Sequence, residues 1–98
     1  MDFEWDLKKN AANIAKHGFD FADAEAVFKG KVLAWLDLRE DYGEDRWQGF
    51  GLLKGKVVAL VWTIRPPNNR VRIISFRKAG QHERETYARG IKDGLGSD

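Results

Sequence analysis

The chain has 98 residues, no cysteine, two histidines and a formal net charge of +2. Without cysteine it can have neither a disulfide framework nor a thiolate metal site, and two histidines need carboxylates to complete a zinc site. The longest apolar run, residues 57–62, is too short to cross a bilayer, and the N-terminus lacks the order of a signal peptide. These features predict one cytoplasmic domain over residues 1–98 that needs no metal or other cofactor and binds no membrane.

The charges are distributed unevenly along the chain. Residues 1–60 hold nine Lys/Arg and eleven Asp/Glu, whereas residues 61–98 hold eight and four. Most of the cations in the second part are arginines, which bind phosphate with two parallel hydrogen bonds and stay charged. The C-terminal part therefore favours an anionic partner such as a nucleic acid.

The first third of the chain predicts a short strand followed by two helices. Residues 2–5 alternate as in an edge strand, Asp6 is placed to cap a helix over residues 7–17, and Gly18 is placed to end it. A second short helix follows within residues 20–30. The apolar positions of the first helix share one face: Leu7, Ala11, Ile14 and Ala15.

The rest of the chain predicts strands and one more helix. The strands cover residues 32–38, 46–53, 56–64 and 70–78, and the helix covers residues 81–91. The connection Lys54-Gly55 predicts a tight hairpin. The order of elements indicates an α+β fold, an antiparallel sheet of three to five strands with two N-terminal helices and one C-terminal helix. Residues 93–98 are predicted to be frayed.

The last strand carries the first functional candidates. Strict alternation predicts two faces, with Val71, Ile73, Ser75 and Arg77 on one and Arg70, Arg72, Ile74 and Phe76 on the other. Arg72, Arg77 and Lys78 are candidates for binding phosphate, and Ser75 adds a hydroxyl. The alternative is that these cations lie at an exposed strand end, where their stems only cover apolar surface.

The last helix and the two histidines supply further candidates. Glu83 and Arg84 lie within one turn of Tyr87. Tyr87 is either an aromatic that pins the helix to the sheet or a phenol that contacts a base or a phosphate. His17 is either a partner of the last carbonyls of the first helix or a catalytic group, and His82 is a similar candidate nearer the arginines.

Three stretches together resemble the BrnT family of type II toxins. The first is EWD-x-x-K-x-x-x-N-x-x-K-HG at residues 4–18, followed by F-x-x-A at residues 21–24. The second is G-E-x-R at residues 43–46, and the third is R-I-I-S-x-R-x-A…E-R-x-x-Y at residues 72–87. Each is short, but their common order and spacing extend over roughly residues 2–89.

The resemblance implies a RelE-like fold and a ribonuclease activity that inhibits translation and growth. It also implies neutralisation by an antitoxin of the BrnA type, with operator DNA contacted only through the toxin–antitoxin complex. Phe76 stands where the family often has a small residue, so its ring is expected to narrow the cleft or to stack on a base.

We therefore expect RNA cleavage without a metal, in which the ribose 2′-hydroxyl attacks the neighbouring phosphate. Cations would stabilise the charged phosphorane, and a base and an acid would move protons. The expected catalytic residues are Arg72, Arg77, Lys78, Glu83, Arg84, Tyr87 and His17, and the expected substrate-binding residues are Ser75, Arg46 and Phe76. Two other classes stay open: a non-catalytic nucleic-acid-binding module, and an interaction protein whose basic face receives an acidic partner.

Overall fold

A computed structural model describes residues 1–94 of the chain. Its elements are β1 (Phe3–Glu4), α1 (Leu7–His17), a 3₁₀ turn (Phe21–Asp23), α2 (Ala24–Phe28), β2 (Leu33–Leu36), β3 (Arg46–Leu53), β4 (Lys56–Arg65), β5 (Arg70–Lys78) and α3 (Gln81–Lys92). The α+β class and the order of the predicted elements are confirmed. The sequence predicts that residues 93–98 are frayed. Asp93 and Gly94 instead end α3 with backbone hydrogen bonds to Arg89 and Ile91, and residues 95–98 lie outside the described part.

Local signals fix the boundaries of the first helix and of the central hairpin. The carboxylate of Asp6 accepts a hydrogen bond from the Lys9 N–H at 3.0 Å, and Gly18 ends the helix with a φ of 76°. Lys54 and Gly55 have φ angles of 51° and 79°, and two such residues form the turn whose twist matches that of the paired strands. The predicted caps and hairpin are confirmed.

The five strands form one mixed sheet in the order β1-β5-β4-β3-β2. Strands β2 to β5 form the expected antiparallel meander. The prediction of an entirely antiparallel sheet is wrong at β1, which pairs with β5 in parallel, with Glu4 opposite Arg72. Only two residues make this strand, and so short a segment carries no pattern that shows which neighbour it joins.

A β-bulge at Ile74 interrupts β5. Trp62 of β4 pairs with Ile73 and Val61 pairs with Ser75, so Ile74 is an extra residue between them. The strict alternation predicted for this strand is wrong beyond that point, because one inserted residue shifts the phase of the side chains. Val71, Ile73 and Phe76 enter the same core cluster, whereas Arg70, Arg72, Ser75 and Arg77 face the other side.

Hydrophobic clusters lie on both faces of the sheet. The larger cluster packs under the N-terminal helical layer and includes Phe21, Val27, Leu60, Trp62 and Phe76. The smaller cluster consists of Phe50, Ala59 and Tyr87, with partly buried neighbours, under α3. Helix α3 contacts β2 and β3, so it covers this face of the sheet on the side of those two strands and leaves the part near β5 open.

Helix α1 packs through Asn13 against the edge of β5. The buried Asn13 side chain accepts from the Phe76 N–H at 3.2 Å and donates to the Phe76 carbonyl at 2.7 Å. Strand β1 pairs with only two residues near the start of β5, and at Phe76 the Asn13 side chain satisfies the backbone groups that a neighbouring strand would otherwise pair with. The predicted apolar face of α1 is not a core face, since Leu7 is 79% exposed and Ile14 41% exposed. Within residues 1–94 no helix is long and apolar enough to span a bilayer.

Candidate functional site

The open end of the α3 face contains a polar pocket, here called the arginine pocket. Its polar side chains are those of Arg39, Gln48, Ser75 and Arg77. Two rows of paired residues cross the sheet there, Gln48–Val61–Ser75 and Phe50–Ala59–Arg77. The bulge at Ile74 sets the phase of these positions: if residues 70–78 alternated strictly, Ser75 and Arg77 would face the core side together with Val71 and Ile73.

Arg77 is held in place by Glu83 of α3. Its Nη1 and Nη2 atoms donate to the two carboxylate oxygens of Glu83 at 2.7 and 2.8 Å, and Glu83 also accepts from the Gly80 N–H at 2.8 Å. The hydrogen bonds from Arg77 lower the pKa of Glu83 to about 2. A carboxylate that acidic is a poor proton acceptor near neutral pH, so Glu83 acts as a fixed counter-ion.

Arg39, which sequence reasoning missed, is the second cation of the arginine pocket. It follows β2 and donates from Nε and Nη2 to the carboxylate of Asp37 at 2.9 and 2.8 Å. The Asp37 side chain is fully buried and also accepts from the Tyr42 hydroxyl at 3.1 Å. These bonds, chiefly those from Arg39, hold the pKa of Asp37 well below its usual range. The only signal in the sequence was an acid two residues before an arginine at a strand end.

The two guanidinium groups of the arginine pocket lie close enough to influence one another. Hydrogen bonds to Glu83 raise the pKa of Arg77, while the charge of Arg39 acts in the opposite direction. Each arginine has five N–H donors, and its carboxylate engages two of them. The pocket therefore presents two aligned cations with donors to spare, an arrangement suited to a phosphate group.

Arg72 extends the cationic face beyond the arginine pocket. It lies in the row Arg46–Thr63–Arg72, and its Nη1 donates to Glu4 of β1 at 2.7 Å. The same carboxylate lies 2.8 Å from the Nε of Arg70, and the hydrogen bond from Arg72 is the main cause that lowers the pKa of Glu4. Arg72 is thus brought to the same face as Arg77, although it does not line the pocket.

Arg46 occupies the other end of that row. Its Nε lies 3.5 Å from a carboxylate oxygen of Glu44, which also contacts Arg65 at 3.2 Å. The Arg46 guanidinium stacks over the Tyr42 ring at 4.4 Å from the centroid. Because Tyr42 also contacts Asp37, Arg46 connects indirectly to the group that aligns the second cation of the arginine pocket.

Two expected site residues belong to the core instead. Phe76 is fully buried on the opposite face of the sheet, its ring stacked on Phe19 at a centroid distance of 5.0 Å, so it offers no stacking face to a base. Tyr87 packs with Phe50 and donates its hydroxyl to the Lys31 carbonyl at 2.9 Å. Burial raises its pKa. The interpretation of Tyr87 as the residue that pins α3 to the sheet is confirmed.

The other candidates lie outside the arginine pocket. His17 ends α1, and His82 in the first turn of α3 has a side chain that is 89% exposed. Lys78 and Arg84 line a different pocket at the end of β5. Within residues 1–94 no group of three or more His, Asp or Glu side chains is arranged to hold a metal ion. Of the expected residues, the fold brings together Arg77, Ser75 and Glu83.

Comparison with known families adds a finding that is independent of this geometry. Residues 5–83 match a family described as the ribonuclease toxin BrnT of type II toxin–antitoxin systems. The chain belongs to the BrnT family. The matched stretch includes Arg39, Arg77 and Glu83, so the arginine pocket lies within the part that the BrnT family defines. No curated protein matches the chain.

Proposed function

We propose that the chain is a metal-independent endoribonuclease that cleaves RNA at the arginine pocket and thereby inhibits translation and growth in the cytoplasm. The observation that carries the proposal is the pair of Arg39 and Arg77 on an open sheet face, each aligned by its own carboxylate. Membership of a family of ribonuclease toxins supports it. On this proposal the sheet and its helices form a RelE-like fold.

The proposed reaction is attack of a ribose 2′-hydroxyl on the adjacent phosphorus. The bond from phosphorus to the 5′ oxygen breaks, which leaves a 2′,3′-cyclic phosphate on one product and a 5′-hydroxyl on the other. Arg39 and Arg77 would donate hydrogen bonds to the non-bridging oxygens, whose negative charge grows in the phosphorane. Ser75 and Gln48 would add neutral hydrogen bonds from the same pocket. Donors fixed in advance stabilise such a charge without reorganising during the reaction.

Proton transfer is a separate requirement that the arginine pocket does not meet with a side chain of its own. Glu83 is too acidic, arginine is a poor base, and both histidines lie outside the pocket. We infer that hydroxide from the solvent removes the 2′-hydroxyl proton and that water protonates the departing 5′ oxygen, so that the protein contributes mainly charge stabilisation and positioning. Cleavage should then accelerate steadily as the pH rises from 5 to 8, without the bell shape that a protein acid and base produce.

The partner on this proposal is an antitoxin of the BrnA type. The description of the family places each toxin in a two-component system, which supports a dedicated neutralising protein. The antitoxin would also bring the complex to operator DNA.

The decisive experiment incubates the purified protein with RNA in the presence of EDTA. We expect products that end in a 2′,3′-cyclic phosphate, and a fall in rate of about 100- to 1,000-fold for Arg77→Ala, because one oriented donor is lost. Arg89→Ala, on an exposed position of α3, is the matched control and should cleave normally. Salt-dependent retention of intact RNA would instead identify a non-catalytic binding module, and loss of all cleavage in EDTA would contradict metal independence.

A further inference from the structure

A second pocket lies at the end of β5, here called the lysine pocket. It is lined by Gly55, Lys56, Val57, Lys78 and Arg84. Neighbouring residues of the chain separate it from the arginine pocket: Arg77 lines one and Lys78 the other. In the first turn of α3, Glu83 reaches Arg77, whereas the next residue, Arg84, lines the lysine pocket. The junction of β5 and α3 therefore stands between the two pockets.

The lysine pocket concentrates positive charge without a compensating acid. Within residues 1–94 no carboxylate oxygen lies within 4.0 Å of the charged nitrogens of Lys56, Lys78 or Arg84. Arg84 is instead anchored by its Nη1, which donates to the Ala79 carbonyl at 3.1 Å. By contrast, Arg77 has a carboxylate partner in the same corner of the fold. An anionic ligand is the partner that three such cations lack.

We propose that the lysine pocket binds a second phosphate of the same RNA strand, outside the phosphodiester that is cleaved. This inference rests on the proposed function of the arginine pocket. Because adjacent residues of β5 line the two pockets, we expect one single-stranded backbone that crosses the β5–α3 junction to contact both. Lysine and arginine contacts to phosphate position a strand without reading its sequence. Lys78 and Arg84 are thus substrate-binding residues and not catalytic ones.

The first test measures binding alone, with an RNA oligonucleotide of about twelve nucleotides whose 2′-O-methyl groups block cleavage. The double variant Lys56→Gln/Arg84→Gln should bind about tenfold more weakly at low salt, since it loses charge-assisted hydrogen bonds. The slope of log K against log salt should become shallower by roughly 0.7 for each phosphate contact that is lost. Lys78→Gln, which keeps the Arg84 anchor, should show a smaller change of the same kind.

Arg89→Gln is the control for the loss of one arginine from α3, and it should leave both affinity and slope unchanged. Unchanged binding in the double variant with the fold intact by circular dichroism would overturn the inference. So would a double variant that binds RNA normally but no longer binds the antitoxin, because the ligand of the pocket would then be an acidic protein segment.

The second test compares cleavage of a dinucleotide with cleavage of the longer RNA. In the double variant, kcat/KM for the longer substrate should fall about tenfold, while cleavage of the dinucleotide stays unchanged because it cannot reach the lysine pocket. Equal losses on both substrates would overturn the inference, since the residues would then act on the reacting phosphate. Absence of all cleavage by the wild type, with the slope difference intact, would overturn the proposed function instead.

Discussion

At the scale of single residues, the orientation of Arg77 depends on a carboxylate from another element. Glu83 grips both terminal nitrogens of Arg77 and also accepts from the N–H that precedes α3. One side chain therefore aligns a proposed catalytic cation and fixes the start of a helix. Both contacts lower the pKa of Glu83, so the stability that they contribute should depend on pH.

Glu83→Gln should lower the free energy of unfolding by about 1 kcal/mol at neutral pH, a modest amount because the ion pair is partly exposed. The folded pKa of about 2 lies below the ordinary value of 4.5, so the ion pair stabilises the fold fully above that value. This stabilisation is lost as the pH falls toward 2. Urea unfolding of both proteins at pH 7 and pH 3 measures the difference, which should shrink at pH 3.

Glu85→Gln is the control, since Glu85 lies on the same helix with an exposed side chain. A difference between wild type and Glu83→Gln that is the same at both pH values would contradict the assignment of the low pKa to Glu83. The same variants test the mechanism: Glu83→Gln should slow cleavage through poorer alignment of Arg77, without adding or removing a titration in the pH–rate profile.

Asp37→Asn should weaken both stability and RNA cleavage. The buried carboxylate accepts from Arg39 and Tyr42, and an amide would turn a donor toward one of them. We expect a loss of about 1–3 kcal/mol in the free energy of unfolding, because a buried donor is left unsatisfied. Asp41→Asn in the same loop, whose carboxylate only accepts from the exposed Gly43 N–H, is the control for urea unfolding and cleavage assays. Cleavage at the normal rate by a folded Asp37→Asn would argue against a role for Arg39.

At the scale of elements, the free edge of β5 is closed by a side chain. Asn13→Ala should lower the free energy of unfolding by about 1–3 kcal/mol, because the backbone groups of Phe76 lose their partner in a buried place. Hydrogen exchange of the Phe76 amide should accelerate selectively. Asn68→Ala, in the exposed turn before β5, is the matched control. Normal protection of the Phe76 amide in Asn13→Ala would show that α1 shields the edge by other means.

How far the elements could be predicted depended on whether their signals are local. Asp6 and the pair Lys54-Gly55 act through their own backbone neighbours, so the first helix and the hairpin follow from the sequence. The bulge at Ile74 leaves only a weak local trace, because the pair Ile73-Ile74 breaks the alternation of apolar and polar residues but no glycine marks it as a bulge. The parallel pairing of β1 likewise depends on a partner almost seventy residues away.

The site could be predicted in part for the same reason. Arg77 and Ser75 stand out as a cation and a hydroxyl in one short strand, whatever face they occupy. Arg39 could not be recognised, because it reaches the pocket only after β2, β3, β4 and β5 have been assembled side by side. Tyr87 could not be assigned either, since its burial depends on which end of the sheet α3 covers.

At the scale of the whole molecule, the arginines of the open face are paired with carboxylates: Arg39 with Asp37, Arg72 with Glu4 and Arg77 with Glu83. Because these charges are paired and the net charge of the chain is only +2, its attraction for a polyanion acts over a short range. We therefore expect the protein to bind a phosphate backbone at the oriented arginines of this face more strongly than it binds polyanions non-specifically. If that binding leads to cleavage, the consequence should be visible in living cells.

Induction of this chain alone should stop bacterial growth, because cleaved RNA cannot be translated. Arg77→Ala should be tolerated at the same protein level, and Arg89→Ala should arrest growth as the wild type does. Co-expression of the antitoxin should restore growth. Optical density after induction, with protein amounts from immunoblots, measures the outcome. Normal growth at good expression of the wild type would count against a toxin, however the purified protein behaves.

The extra residue in β5 also matters to anyone who wants to alter the specificity of this protein. The phase of the side chains shifts at Ile74, so a library designed by counting every second residue from Arg70 would include Phe76, which is buried in the core, and would miss Ser75 and Arg77. The outward set to randomise is Arg70, Arg72, Ser75 and Arg77. Deletion of Ile74 would remove the extra residue yet leave Ser75 and Arg77 outward and Phe76 in the core, because Ile73 and Ser75 would then be consecutive residues of a regularly alternating strand.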